Sequence, residues 1–101
     1  MKVEQFYNRN QFHLYSEKDL IDILQSYNST VVKIETNLIN HDCKTTITLG
    51  IDWDYSTTTS KYVYMFLEEY GNINFNNIGN KRAYINKLIK DGVIVYDENM
   101  R

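Results

Sequence analysis

Between residues 45 and 55 the chain alternates without a break. Thr45, Ile47, Leu49, Ile51, Trp53 and Tyr55 fall on one side, and Thr46, Thr48, Gly50, Asp52 and Asp54 on the other. A period of two belongs to a β-strand with one buried face and one wet face. Such a strand needs partners, and its apolar face needs a second layer. This stretch therefore commits the chain to a sheet covered on one side.

The remaining elements are read around it. Residues 30–37 set Val32 and Ile34 against Lys33 and Glu35, and Asn40-His41-Asp42 is turn-like, so the two strands form a hairpin. Residues 12–15 read as a short strand. Ser16 with Asp19 has the spacing of a helix cap, and Leu20, Ile23, Leu24 and Tyr27 follow at helical spacing. They predict a helix over 17–27 that ends at Asn28-Ser29. Residues 62–67 are apolar on both faces and read as a buried strand, with a helix as the alternative; Ile73 to Phe75 reads as a short strand. Asn80 is placed as an N-cap before Tyr84, Ile85, Leu88 and Ile89, with Lys87 and Lys90 in the last turn and Gly92 as the terminating glycine. Residues 93–96 close the sheet. The expected fold is α+β: one mostly antiparallel sheet of about four to six strands, with two amphipathic helices on one face, in a single domain spanning 1–101.

Composition narrows the function. The chain has 101 residues, a formal charge of −2 and one cysteine, Cys43. No apolar run approaches the ~20 residues of a membrane span, and no apolar leader opens the sequence. A lone cysteine excludes an internal disulfide framework and fits a reducing cytoplasm. Twelve Asn, eleven Ile and eight Lys stand against one Ala, three Arg and no Pro. That bias follows AT-rich codons and points to a low-GC bacterial host or one of its phages. Nine Tyr outnumber seven Leu, and tyrosine is a residue of protein interfaces.

No catalytic constellation is complete. Asp52 and Asp54 share the wet side of the expected strand, but local sequence supplies no further ligand for a cation, and alternation alone accounts for polar residues there. His41, Asp42 and Cys43 are metal-type or nucleophilic residues without a second pair, and His13 is placed as a packed histidine. Phosphate-binding loops and nucleophile elbows are absent. The reading is a non-enzyme without metal or cofactor.

For nucleic acid, Lys81, Arg82, Lys87 and Lys90 lie in a segment free of acids. Residues 85–94 resemble the last helix and first wing strand of a winged-helix domain, and Tyr70-Gly71-Asn72-Ile73 resembles the turn after its first helix. That resemblance implies a DNA-binding regulator. Residues 73–92 are too few for the two remaining helices, and the net charge is negative, so direct nucleic-acid binding is not expected.

For protein partners, residues 35–69 carry Glu35, Asp42, Asp52, Asp54, Glu68 and Glu69 against Lys44 and Lys61. An acidic strand face bordered by Trp53, Tyr55, Tyr62 and Tyr64 would suit a basic surface on a nucleic-acid-binding effector or a toxin. In size, composition and the absence of catalytic motifs, the chain resembles the small phage-encoded inhibitors of bacterial defence, the anti-CRISPR proteins among them. The resemblance implies stoichiometric inhibition of a host effector by steric or acidic-surface occlusion. Glu35, Asp52, Asp54, Tyr55, Tyr62, Glu68 and Glu69 are the expected contact residues. An immunity protein or antitoxin that plugs a toxin is the alternative reading of the same physics.

Overall fold

A computed structural model describes all residues from Met1 to Arg101. Six strands form one sheet whose spatial order repeats the chain order: β1 (Lys2–Gln5), β2 (Gln11–Ser16), β3 (Ile21–Ser26), β4 (Ser29–Ile39), β5 (Asp42–Gly50) and β6 (Ile94–Asp97). The first five run antiparallel to their neighbours, while β6 lies parallel to β5. A parallel step needs a crossover connection, and that connection holds α1 (Thr57–Tyr70) and α2 (Lys81–Lys90). The α+β class, the mostly antiparallel sheet and the two helices agree with the sequence analysis.

One of the two helices is elsewhere than expected. Residues 17–27 form no helix; they make the β2–β3 turn, β3 itself and, at Tyr27, the start of the β3–β4 turn. The capping signal is real: the Asp19 N–H donates to Ser16 Oγ at 3.2 Å. The same local bond serves a turn as well as a helix start. Here it closes a four-residue hairpin loop in which Leu20 takes a left-handed φ of 54°. The supposed apolar stripe splits: Leu24 enters the core, Ile23 points to the opposite face, and Leu20 and Tyr27 are exposed.

That helix lies instead over residues 57–70, where the alternative reading of 62–67 as a helix holds and the expected strand does not. Ser56 caps α1, its hydroxyl accepting from the Thr59 N–H at 3.1 Å. Thr59, Tyr62, Val63, Phe66 and Leu67 then fall on one buried stripe. Ile73 and Phe75 are buried without a strand ladder; the Ile73 N–H is held by the Leu67 carbonyl and the Phe75 N–H by Glu68. Between α1 and α2, residues 71–80 contain no helix, so the winged-helix arrangement is not assembled. Asn80 caps α2, accepting from the Ala83 N–H at 3.0 Å. Gly92 follows with φ 79°, as a terminating glycine should.

The alternating strand ends at Gly50, not at Tyr55. A Cβ there would lie 2.5 Å from the Met100 carbonyl oxygen and 2.6 Å from that of Thr30. The C-terminal segment closes over this point, where the Ile51 N–H donates to Met100 at 3.1 Å, and residues 51–54 turn away. Trp53 nevertheless reaches the core. One face of the sheet, carrying Leu24, Val32, Ile34, Ile47, Leu49 and Ile94, packs with α1, Ile85 of α2, Phe6 and Phe75 into one continuous core.

Candidate interaction surfaces

The acidic residues do not form a face. Asp52 lies in the turn after β5 and accepts from Ser29 Oγ at 2.9 Å. Asp54 lies beyond it and pairs with Arg82 at 2.6 Å. One member of the expected acidic set is thus neutralised by one member of the expected basic set. Glu35 is on β4, where it pairs with Lys33 at 2.7 Å. Glu68, near the end of α1, accepts from the Phe75 N–H at 3.2 Å. Glu69 accepts from the Tyr7 hydroxyl at 3.2 Å, and its charge and that bond raise the Tyr7 phenol above its ordinary value. Tyr62 is 8% exposed and belongs to the core, so it is no contact residue. Tyr55 is 80% exposed. The wet side of β5 carries Asp42, Lys44, Thr46 and Thr48, and neither Asp52 nor Asp54.

The basic residues are also divided. Lys81 opens α2 with its ammonium over the Tyr64 ring, 5.7 Å from the centroid. Burial raises the Tyr64 phenol, an effect opposed by Arg82. Lys87 and Lys90 occupy the last turn of α2, where they suit the negative end of the helix dipole. Two cations at each end of a ten-residue helix, one of them paired, do not make a continuous phosphate track.

His13 is the best-organised polar residue. It is buried in β2, with Nδ1 2.8 Å from Glu4 Oε1 on β1 and Nε2 2.7 Å from Asp22 Oδ1 on β3. The ring stacks on Tyr15 at 4.8 Å, approaches Tyr70 at 4.3 Å and meets Phe66 edge-on at 5.5 Å. Burial first, then the charges of Glu69, Glu4 and Asp22, push the Tyr70 phenol up to about 12. Both ring nitrogens are occupied, and the carboxylates sit on opposite edges of the ring. The group therefore neither activates a nucleophile nor converges on a cation. It fastens the edge strand β1 to the two strands beside it. No three His, Cys, Asp or Glu side chains gather as a metal site. His41 sits in the β4–β5 turn at φ 72°, and Cys43 is exposed on β5.

A cleft of about 610 Å³ opens where the β3–β4 turn meets the start of α1. Tyr27 and Tyr55 line it with the polar side chains of Ser29, Asp52, Ser56 and Thr58.

Two apolar surfaces were missed by the sequence reading. The first is an arm. β3 pairs with β4 only as far as Glu35, yet β4 and β5 stay paired to Ile39 and Asp42. A two-stranded finger therefore projects past the sheet, turning at Asn40 and His41, both in the left-handed region. It exposes Leu38 at 67% and Ile39 at 54%. The second is the sheet face opposite the helices. Phe12, Leu14, Ile21 and Ile23 point there; all four are half-buried, and none packs against the core. Its signal was the alternation in 11–16 and 21–26, masked by the helical spacing.

Residues 1–87 match the profile of DUF8033, described as a family of unknown function. The chain belongs to this family. The DUF8033 match takes in β1 to β5, all of α1 and most of α2, so it covers both apolar surfaces except for β6. No curated protein and no solved structure matches the chain. No helix is long and apolar enough to cross a membrane.

Proposed function

We propose that this DUF8033 protein acts by binding another protein, as a small non-enzymatic inhibitor of a bacterial defence nuclease of the anti-CRISPR kind. The observation that carries the reading is the β4–β5 arm. An isolated two-stranded hairpin is only marginally stable in water, and exposed apolar residues at its tip gain from being covered. Leu38 and Ile39 contribute nothing to this chain's own core, so their burial is available to a partner. Inhibition is by steric occlusion: the acids that were to imitate nucleic acid are dispersed and partly bonded within the chain.

The test is expression in a low-GC host with active CRISPR immunity, read as plating of a targeted phage. The wild-type chain should raise plating by at least tenfold. Leu38→Glu with Ile39→Glu should remove the effect while leaving the melting curve in place, because both side chains are exposed. No rise with the wild-type chain overturns the anti-defence reading. A rise that survives the double substitution moves the contact away from the arm.

A further inference from the structure

We infer that the open face of the sheet seats a second copy of this chain, making a twofold dimer of two sheets packed face to face. The face can be read row by row from the strand register. Val3, Leu14, Ile23, Lys33, Thr48 and Val95 are successive cross-strand partners from β1 to β6 and form one line across it. The next line is Ser16, Ile21, Glu35 and Thr46. Phe12 flanks the first line on its other side, beside Gln5 and Gln25. The β1–β3 half is thus mostly apolar, and the β4–β5 half carries threonines with Lys33 and Glu35 at its centre and Lys44 and Asp42 further out along the arm, two cations balanced by two anions. Both helices cover the other side.

Charge selects the occupant. Lys33 and Glu35 are two residues apart on β4, ~7 Å along the strand, point to the same side and pair with each other at 2.7 Å, so a second copy meets a neutral pair of charges with a fixed direction. A twofold axis lying in the interface, across the strands and between these residues, sets each Lys33 against the partner copy's Glu35. The same operation lays β1–β3 of one copy on β1–β3 of the other, apolar on apolar. A self-complementary patch of this kind is what an isologous interface requires. A strongly basic or acidic partner finds no matching excess of charge.

The area fits a reversible dimer. Six strands at ~4.8 Å spacing and five residues at ~3.3 Å rise give about 500 Å² in projection. Side-chain relief brings the accessible area near the roughly 600 Å² per partner at the low end of specific interfaces. Sheets packed in this way align within about 30°.

Sedimentation of the full chain from micromolar to near-millimolar concentration tests the inference. The wild-type chain should show a concentration-dependent monomer–dimer equilibrium. Leu14→Lys should weaken it at least tenfold. Thr48→Arg should do the same and guards against misfolding, since it exchanges one polar, half-buried side chain for another whose stem can lie along the sheet. Lys33→Glu and Glu35→Lys should each weaken association by setting like charges together, and the double exchange should restore it. A chain that stays monomeric throughout overturns the proposal. So does a dimer indifferent to Thr48→Arg, or one that the double exchange fails to restore. Leu38→Glu, on the helix side of the arm, should leave the dimer intact, which separates this interface from the arm.

Discussion

Gly50→Ala puts one methyl group where two backbone carbonyls already meet. The new Cβ would stand 2.5 Å from the Met100 oxygen and 2.6 Å from the Thr30 oxygen, both far inside van der Waals contact. Neither neighbour is a flexible side-chain end. Thr30 is on the central strand β4, so its carbonyl moves only with the sheet, whereas Met100 lies beyond β6, outside any strand or helix, and gives way more easily. Displacing it also gives up the Ile51 N–H bond, worth about 0.5–1.5 kcal/mol. Overpacking adds about 1–3 kcal/mol, so a loss near 2–4 kcal/mol is expected. Urea unfolding followed by Trp53 fluorescence measures it, and a melting temperature lower by roughly 10–20 °C should accompany it. Deleting Met100 and Arg101 first removes one of the two clashes and the bond together. Gly50→Ala should then cost measurably less in the shortened chain than in the full one. A Gly50→Ala protein within about 0.5 kcal/mol of the original, or the same cost in both backgrounds, refutes the account of this closure.

Trp53→Ala should cost about 3–5 kcal/mol, read by urea unfolding followed by far-UV circular dichroism because the substitution removes the one tryptophan; the indole is 4% exposed although it sits in a turn. Gln11 is fully buried and its side-chain amide has no hydrogen-bond partner at either end. Gln11→Met should therefore stabilise the chain by about 1–3 kcal/mol, read as a higher urea midpoint. Tyr70 is raised from 10 to about 12 in the folded chain. The unfolded chain loses that proton first, so this contribution is complete below pH 10 and disappears as the pH rises to 12. Tyr70→Phe should flatten the alkaline fall in melting temperature over that window, and an unchanged slope counts against the assignment.

The legible parts of the fold were those in which one pattern had one meaning. The alternation at 45–49, the turn at Asn40–His41 and the cap at Asn80 each specified local structure that the rest of the chain accepts. The errors came where two periods coincide. Leu20, Ile23, Leu24 and Tyr27 fit a helix, yet Asp22, Leu24 and Ser26 alternate with Ile21, Ile23 and Gln25 equally well. The decision belongs to β4, which offers a full antiparallel partner over this stretch. In α1, tyrosines and β-branched residues argued for a strand, and the helix follows instead from Ser56 and the buried stripe across the sheet. The acidic face failed at one residue: Gly50 ends the strand before Asp52 and Asp54 can join it. Which acids pair with Arg82, Lys33 or Ser29 is set by tertiary approach, and no local pattern encodes it.

A sheet whose spatial order is its chain order has a kinetic meaning. Every pairing from β1 to β5 joins consecutive strands, so half the chain can zip up by adding one hairpin at a time, with short loops to close. Only the last pairing reaches far: Ile47 meets Ile94 across the whole helical segment. During synthesis β1 to β5 emerge before either helix exists, and the side of the sheet destined for α1 must wait uncovered. The early meander is thus exposed on both sides until the C-terminal half arrives, and β6 is the bolt that goes home last.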